Sequence, residues 1–303
     1  GDFPLRAGRA SAVPGVGAYS GRWRELSTTF STSTTRFPSL LRTPIGLAER
    51  PVPGWCRPCR ITGSSAQVLC SIATDRCVTS ALGGDSTGLV SEFSKAQLVA
   101  GGVPAERIAV KPNFTDVSDT PRWIGGDDVL FVGRLTTEKG VHTLLRAWPL
   151  VPGDRLLRIA GDGPERPGLE RMVRSEGIQG VEFLGWLDQL EVDRLMRESA
   201  VLVVPSEWYE GFPTTISRAL GMAVPVVGSD LGGVGEVLRT VAPGSVFPPG
   251  DPEALARVVS SVVESREARS KLSSAAERAF EAHYTPARNY DALMRIYSDC
   301  LSL

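Results

Sequence analysis

From about residue 121 the chain repeats one pattern: a short, mostly apolar run, then a longer stretch with apolar residues at every third or fourth place. The apolar runs are VLFVG (129–133), LLRIAG (156–161), VEFLG (181–185), AVLVVPS (200–206), PVVGS (225–229) and SVFPP (245–249). They are continuous rather than alternating, and strands that are hydrophobic on both sides belong to a parallel sheet covered by helices on both faces. The stretches between them predict helices near 139–149, 165–176, 188–198, 213–221, 234–239 and 251–264, with 267–282 and 285–301 at the end. Asp251-Pro252-Glu253 is a helix start in miniature, with cap, first-turn proline and first-turn acid in order.

The alternation predicts a doubly wound, Rossmann-like α/β domain over 121–282, followed by a final helical segment over 283–303. Ligands of such sheets bind outside the carboxyl ends of the strands. Residues 89–120 read as the connection into this domain, with a helix from Glu92 to Val99 capped by Ser91 and stopped at Gly101-Gly102, then a strand over 108–111. Upstream the pattern fails. STTFSTSTTRFPS, RTPIGLAERPVPGW and ALGGDSTG lack sustained periodicity and abound in Ser, Thr, Gly and Pro, so residues 1–88 are expected to be poorly ordered or a reduced remnant of a domain. Ten arginines stand there against five acidic residues; they could touch an anionic membrane surface, although they do not line one helical face.

Composition narrows the function. A formal net charge of -1 and a pI near 6.3 leave no basic footprint for nucleic acid, which is not expected as a partner. No apolar run is long enough to span a bilayer and the start lacks the order of a secretory signal, so a cytoplasmic protein is expected, with peripheral contact at the inner face of the membrane open. The five cysteines, Cys56, Cys59, Cys70, Cys77 and Cys300, include one C-x-x-C, but the next two are spaced too widely for a second pair. Reduced thiols and no metal site are expected.

The strand ends carry the chemistry. GRLTTEKG (133–140) places Gly133, Arg134 and Lys139 at the mouth after one strand, and two cations converging there suit a diphosphate, although a solvated turn would read the same. GDGPE (161–165) supplies Gly161 and Gly163 for close backbone approach, and no G-x-G-x-x-G follows any strand, which counts against a dinucleotide. Gly185-Trp186 could bracket a flat base, or Trp186 could pack in the core. In YEGFPTTISR, Glu210 precedes a helix whose first turn holds Gly211, Phe212, Pro213, Thr214 and Thr215, where open amides suit phosphate. Arg218 stands eight residues beyond Glu210, a helical span of roughly 12 Å.

In this order GRLTTEKG, GDGPE, FLG (183–185), PSEWYEGF (205–212), GGVGE (232–236) and PGDPEALA (249–256) resemble the retaining GT-B glycosyltransferases of family 4, over about Leu89 to Leu303. The resemblance implies that Arg134 and Lys139 hold the diphosphate of a nucleotide-sugar donor and that Glu210 accepts hydrogen bonds from donor sugar hydroxyls, with the Gly211, Phe212 and Pro213 backbone beside it. Thr214 and Thr215 would serve the phosphates, and Gly185-Trp186 would meet the base. It implies transfer with retained configuration to a glycan or lipid-linked acceptor in polysaccharide or cell-envelope synthesis, with no cofactor or metal, the departing phosphate taking the acceptor proton.

One position departs from the family. A second glutamate that grips the ribose is usual where Arg218 stands, and a guanidinium only donates hydrogen bonds. The helix start predicts that Arg218 faces the site, towards the phosphates or paired with Glu236, the alternative being solvent. The two histidines, His142 and His283, read as ordinary surface or core residues. Tyr290, Leu293, Met294, Tyr297 and Leu301 form a helical stripe that predicts self-association. A binding module unable to complete transfer, and a nucleotide-sugar hydrolase or epimerase, are the rival readings.

Overall fold

The computed structural model describes residues 87–117 and 119–301. The expectations for residues 1–86, including Cys56, Cys59, Cys70 and Cys77, lie outside the described residues.

Six parallel strands form the main sheet: β3 (Val129–Val132), β4 (Leu157–Ala160), β5 (Val181–Gly185), β6 (Val201–Val204), β7 (Val226–Ser229) and β8 (Val246–Phe247). Their spatial order is β5-β4-β3-β6-β7-β8. The central strands β3, β6 and β7 are apolar on both sides because both sides are covered, whereas β4 and the edge strand β5 carry the ion-paired Arg158 and Glu182. Val129 and Phe131 of β3 and Val201 and Val203 of β6 enter one core, whereas Leu130 and Leu202 enter the other. Helices α2 (Val141–Ala147), α3 (Arg166–Glu176) and α7 (Pro252–Val263) contribute to the first core. Helices α4 (Gln189–Glu198), α5 (Thr214–Gly221), α6 (Gly232–Val241) and α8 (Arg266–His283) contribute to the second. Successive strands run outward from β3 in one direction and from β6 in the other, so the order reverses between those two neighbours, and the crevice above them is where such sheets bind ligands.

Helix α1 (Glu92–Ala100) lies between β1 (Thr87–Leu89) and β2 (Ile108–Val110), which form a separate parallel pair. Its cap is the expected Ser91, whose hydroxyl accepts from the Ser94 amide at 3.2 Å. Two predicted helices differ from expectation. The one near 139–149 is divided into a 3-10 turn Thr137–Lys139, helix α2 and a second 3-10 turn Trp148–Leu150. Gly140 sits in the left-handed region (φ 66) and Pro149 cannot donate to a continuing helix, which fixes both breaks. The helix expected from 234 begins at Gly232, because the glycine pair forms its first turn.

The final helix α9 (Pro286–Leu301) is tied to the connection by buried Asn289, which donates to the Pro112 carbonyl at 2.8 Å and accepts from Lys111 Nζ at 3.2 Å. Burial pulls the Lys111 ammonium below its usual range. Of the predicted stripe, Tyr290 and Met294 are exposed and Leu293 and Tyr297 half-buried. Among the described residues no helix is long and apolar enough to cross a membrane.

Candidate functional site

The loops after β3 and β6 meet above the reversal point. Lys139, at the end of its 3-10 turn, places Nζ 2.9 Å from Glu210 Oε2, and both side chains are largely shielded. The Ser206 hydroxyl contacts the other Glu210 oxygen. The loops are also joined by their backbones, since the Glu207 amide donates to the Glu138 carbonyl at 2.9 Å. Gly140 makes this approach possible: a Cβ there would stand 2.0 Å from the Pro205 carbonyl oxygen, inside any permitted contact. Gly161 (φ 139) allows the same on the other side, where a Cβ would fall 1.8 Å from the Gly133 carbonyl oxygen.

Arg134 lies in the same loop but projects outward, its side chain 78% exposed and 3.9 Å from Glu138. Burial pushes the Glu138 carboxyl up, but its own backbone amide and the charges of Arg134 and Lys139 outweigh this and hold it below its usual range. Gly185 closes β5 with positive φ and accepts the Gly161 amide at 2.7 Å, which brings the 161 and 185 loops side by side. Trp186 is 77% exposed, so its packing in the core is ruled out. The Phe212 ring is buried against Tyr284 at 5.2 Å between centroids, which leaves its backbone, not its side chain, available to the crevice. Helix α5 starts at Thr214 after Pro213 with no side-chain cap.

For Arg218 the structure corrects the expected pairing with Glu236: Nε and Nη2 each lie 2.5 Å from an oxygen of Asp193 on α4. Gln189 Nε2 donates to the same carboxylate at 2.8 Å. These hydrogen bonds to Asp193 outweigh burial and, with the carboxylate charge, raise the Arg218 pKa further. Glu236 is engaged elsewhere, accepting from the Glu92 and Phe93 amides at 3.0 and 2.7 Å. Beside it is the buried Tyr284 phenol, pushed up to about 12 by burial first and the Glu236 charge second, against a hydrogen bond with Thr240.

Sequence reasoning missed a second carboxylate at the mouth. Glu207 Oε1 accepts from Thr143 Oγ1 at 2.5 Å and lies 3.2 Å from His142 Nε2, so His142 is more than a surface residue. The one available signal was position: His142 and Thr143 fall on the turn after Lys139, and Glu207 on the loop that carries Glu210. Asp193 gave no signal, being an acid on a helix with other acids.

A doubly wound parallel sheet with Lys139, Glu210 and the close-approach glycines at its reversal point defines an α/β domain of the GT-B kind. Residues 124–279, just over half of the chain, match the family model Glycosyl transferases group 1, and the chain belongs to that family. It is 29% identical over 218 residues to the alpha-D-kanosaminyltransferase of Streptomyces kanamyceticus, a match covering 68% of this chain and 56% of that protein. It is 30% identical over 226 residues to the phosphatidyl-myo-inositol mannosyltransferase of Mycobacterium leprae (strain TN), covering 69% and 57%. The chain thus spans little more than half the length of these curated relatives. Among solved structures, Anabaena Alr3699/HepE in complex with UDP and glucose shares the fold with a TM-score of 0.66 at 20% identity, over 80% of this chain and 68% of that one.

Proposed function

We propose that the protein is a retaining glycosyltransferase of family 4 that takes its sugar from a nucleoside diphosphate donor seated above β3 and β6. The observation that carries this reading is the Lys139–Glu210 contact across the reversal point, which pairs a cation suited to phosphate with a carboxylate suited to sugar hydroxyls. In this reading Lys139 and the exposed Arg134 clamp the diphosphate, and the Gly211–Pro213 backbone and the start of α5, with Thr214 and Thr215, complete the seat. Gly133 and Gly161 let the backbone close around it, and Gly185 with exposed Trp186 meets the base. Stabilising the leaving diphosphate is then the main catalytic contribution, since charge develops there as the glycosidic bond to phosphate breaks. The leaving phosphate takes the acceptor proton, and no metal enters the scheme.

The chemistry of the donor is supported by the UDP complexes of Alr3699/HepE, and that of the acceptor, a glycan or lipid-linked group at the inner face of the membrane, by relatives such as the phosphatidyl-myo-inositol mannosyltransferase. Self-association through Tyr290 and Met294 belongs to the same proposal, and sedimentation over a range of concentrations tests it. For the function itself, the test is incubation with UDP-, GDP- and ADP-sugars, with and without acceptor. Transfer that needs acceptor supports the proposal. Sugar released into water without acceptor would assign a hydrolase, and binding without turnover a donor-holding module.

A further inference from the structure

The hydrogen bonds of the GGVGE glutamate run to α1. Glu236 lies in the second turn of α6, and its two carboxylate oxygens accept the first two amides of α1, Glu92 at 3.0 Å and Phe93 at 2.7 Å. With Ser91 taking the Ser94 amide, each of the first three amides of α1 has an acceptor, two of them supplied by a side chain 144 and 143 positions away. Such bonds are charge-assisted, and the carboxylate also faces the positive end of a helix. Both helices joined in this way continue to Glu210. From α1, the Phe93 ring stacks on Tyr209, the residue before Glu210, at 5.1 Å and 25°. From α6, the Gly233 amide donates to the Glu210 carbonyl at 2.8 Å.

We propose that Glu236 is a positioning residue for Glu210. By capping α1 it seats Phe93 on Tyr209, and the Glu210 backbone is then held from two sides, by α1 through Tyr209 and by α6 through Gly233. This rests on the reading of Glu210 as the group that receives the donor sugar, but the positioning itself can be measured apart from it.

Amide hydrogen exchange on the full chain is the direct test, with Glu236→Gln, which keeps the volume and removes the charge. A lost charge-assisted bond speeds exchange of the residues it held by about tenfold. The expected result is that acceleration at 92 and 93 and, with it, faster exchange over 206–213. Acceleration at 92 and 93 with 206–213 unchanged would overturn the proposal. Phe93→Leu leaves the cap in place and should accelerate 206–213 alone; it decides the matter if the Glu236 variant does not fold, and no change over 206–213 there also overturns it. Turnover of whichever donor is used, measured per folded molecule, adds a readout that loss of folded protein alone does not move. Glu236→Gln should lower kcat about tenfold with little change in donor KM, and adding Tyr209→Ala should lower it no further, because both act by one route; additive losses would refute that route. If the native protein turns over no donor, the donor reading fails while the exchange result still stands.

Discussion

Replacing Arg218 by glutamate, the residue that the resemblance to family 4 implies at this place, should on this structure harm the fold. The guanidinium is 19% exposed and the Asp193 carboxylate 10%, and the two share a pair of 2.5 Å hydrogen bonds. Removing one partner of a buried pair costs about 3–5 kcal/mol, because the remaining charge is left without compensation. A second carboxylate roughly 5 Å away adds repulsion of about 3 kcal/mol at an effective dielectric near 20, part of which is relieved by rotating the new side chain towards solvent. The net expectation for Arg218→Glu is a loss of about 4 kcal/mol, read in thermal denaturation as a midpoint lowered by roughly 10 °C. Asp193→Asn added to that variant should recover more than half of the loss, since the amide can donate to the new carboxylate. Donor affinity is then best measured in the double variant, where the fold is recovered. A single variant that melts within 1 °C of the native protein, or a double variant no more stable than the single, would refute the account of Arg218 as a strut between α4 and α5.

Three further outcomes follow from the geometry. Lys139→Ala removes a cation from the proposed diphosphate seat, and the loss of a charged hydrogen bond of about 2–3 kcal/mol should lower kcat/KM on the order of 100-fold in steady-state assays. Gly140→Ala should cost about 2–3 kcal/mol in denaturation, combining left-handed strain with displacement of Pro205, whereas Gly177→Ala, with the same φ of 66 and nothing within 4 Å, should cost only the strain of about 1 kcal/mol. Tyr284, raised from 10.0 to about 12, is neutral in both states below pH 10, where its full stabilising contribution is present; above that the unfolded phenol ionises first, so stability falls between pH 10 and 12 by about 3 kcal/mol. Tyr284→Phe should flatten the pH dependence of the unfolding free energy over that window.

What the sequence revealed and what it concealed divide by the distance over which each feature is determined. The central strands were legible because β3 and β6 place neighbouring residues into opposite cores, and that demand writes a continuous apolar run into the chain. Lys139 and Glu210 were legible as candidates because each follows its strand at a fixed short spacing. Their 2.9 Å contact was not, because it depends on β3 lying beside β6, which is 72 residues later by the pairing of Val129 with Val201. The same separation hid Glu207 from Thr143 and Asp193 from Arg218, pairs 64 and 25 positions apart on elements brought together by strand order rather than by periodicity. Arg218 shows the consequence most clearly. Helix geometry fixed the side from which its side chain leaves α5, yet its direction of pairing was decided by an acid on α4 whose own sequence context is that of a solvated helix face. A residue that departs from an expected motif can therefore be a tertiary strut, and its chemistry is read correctly only together with the residue that neutralises it.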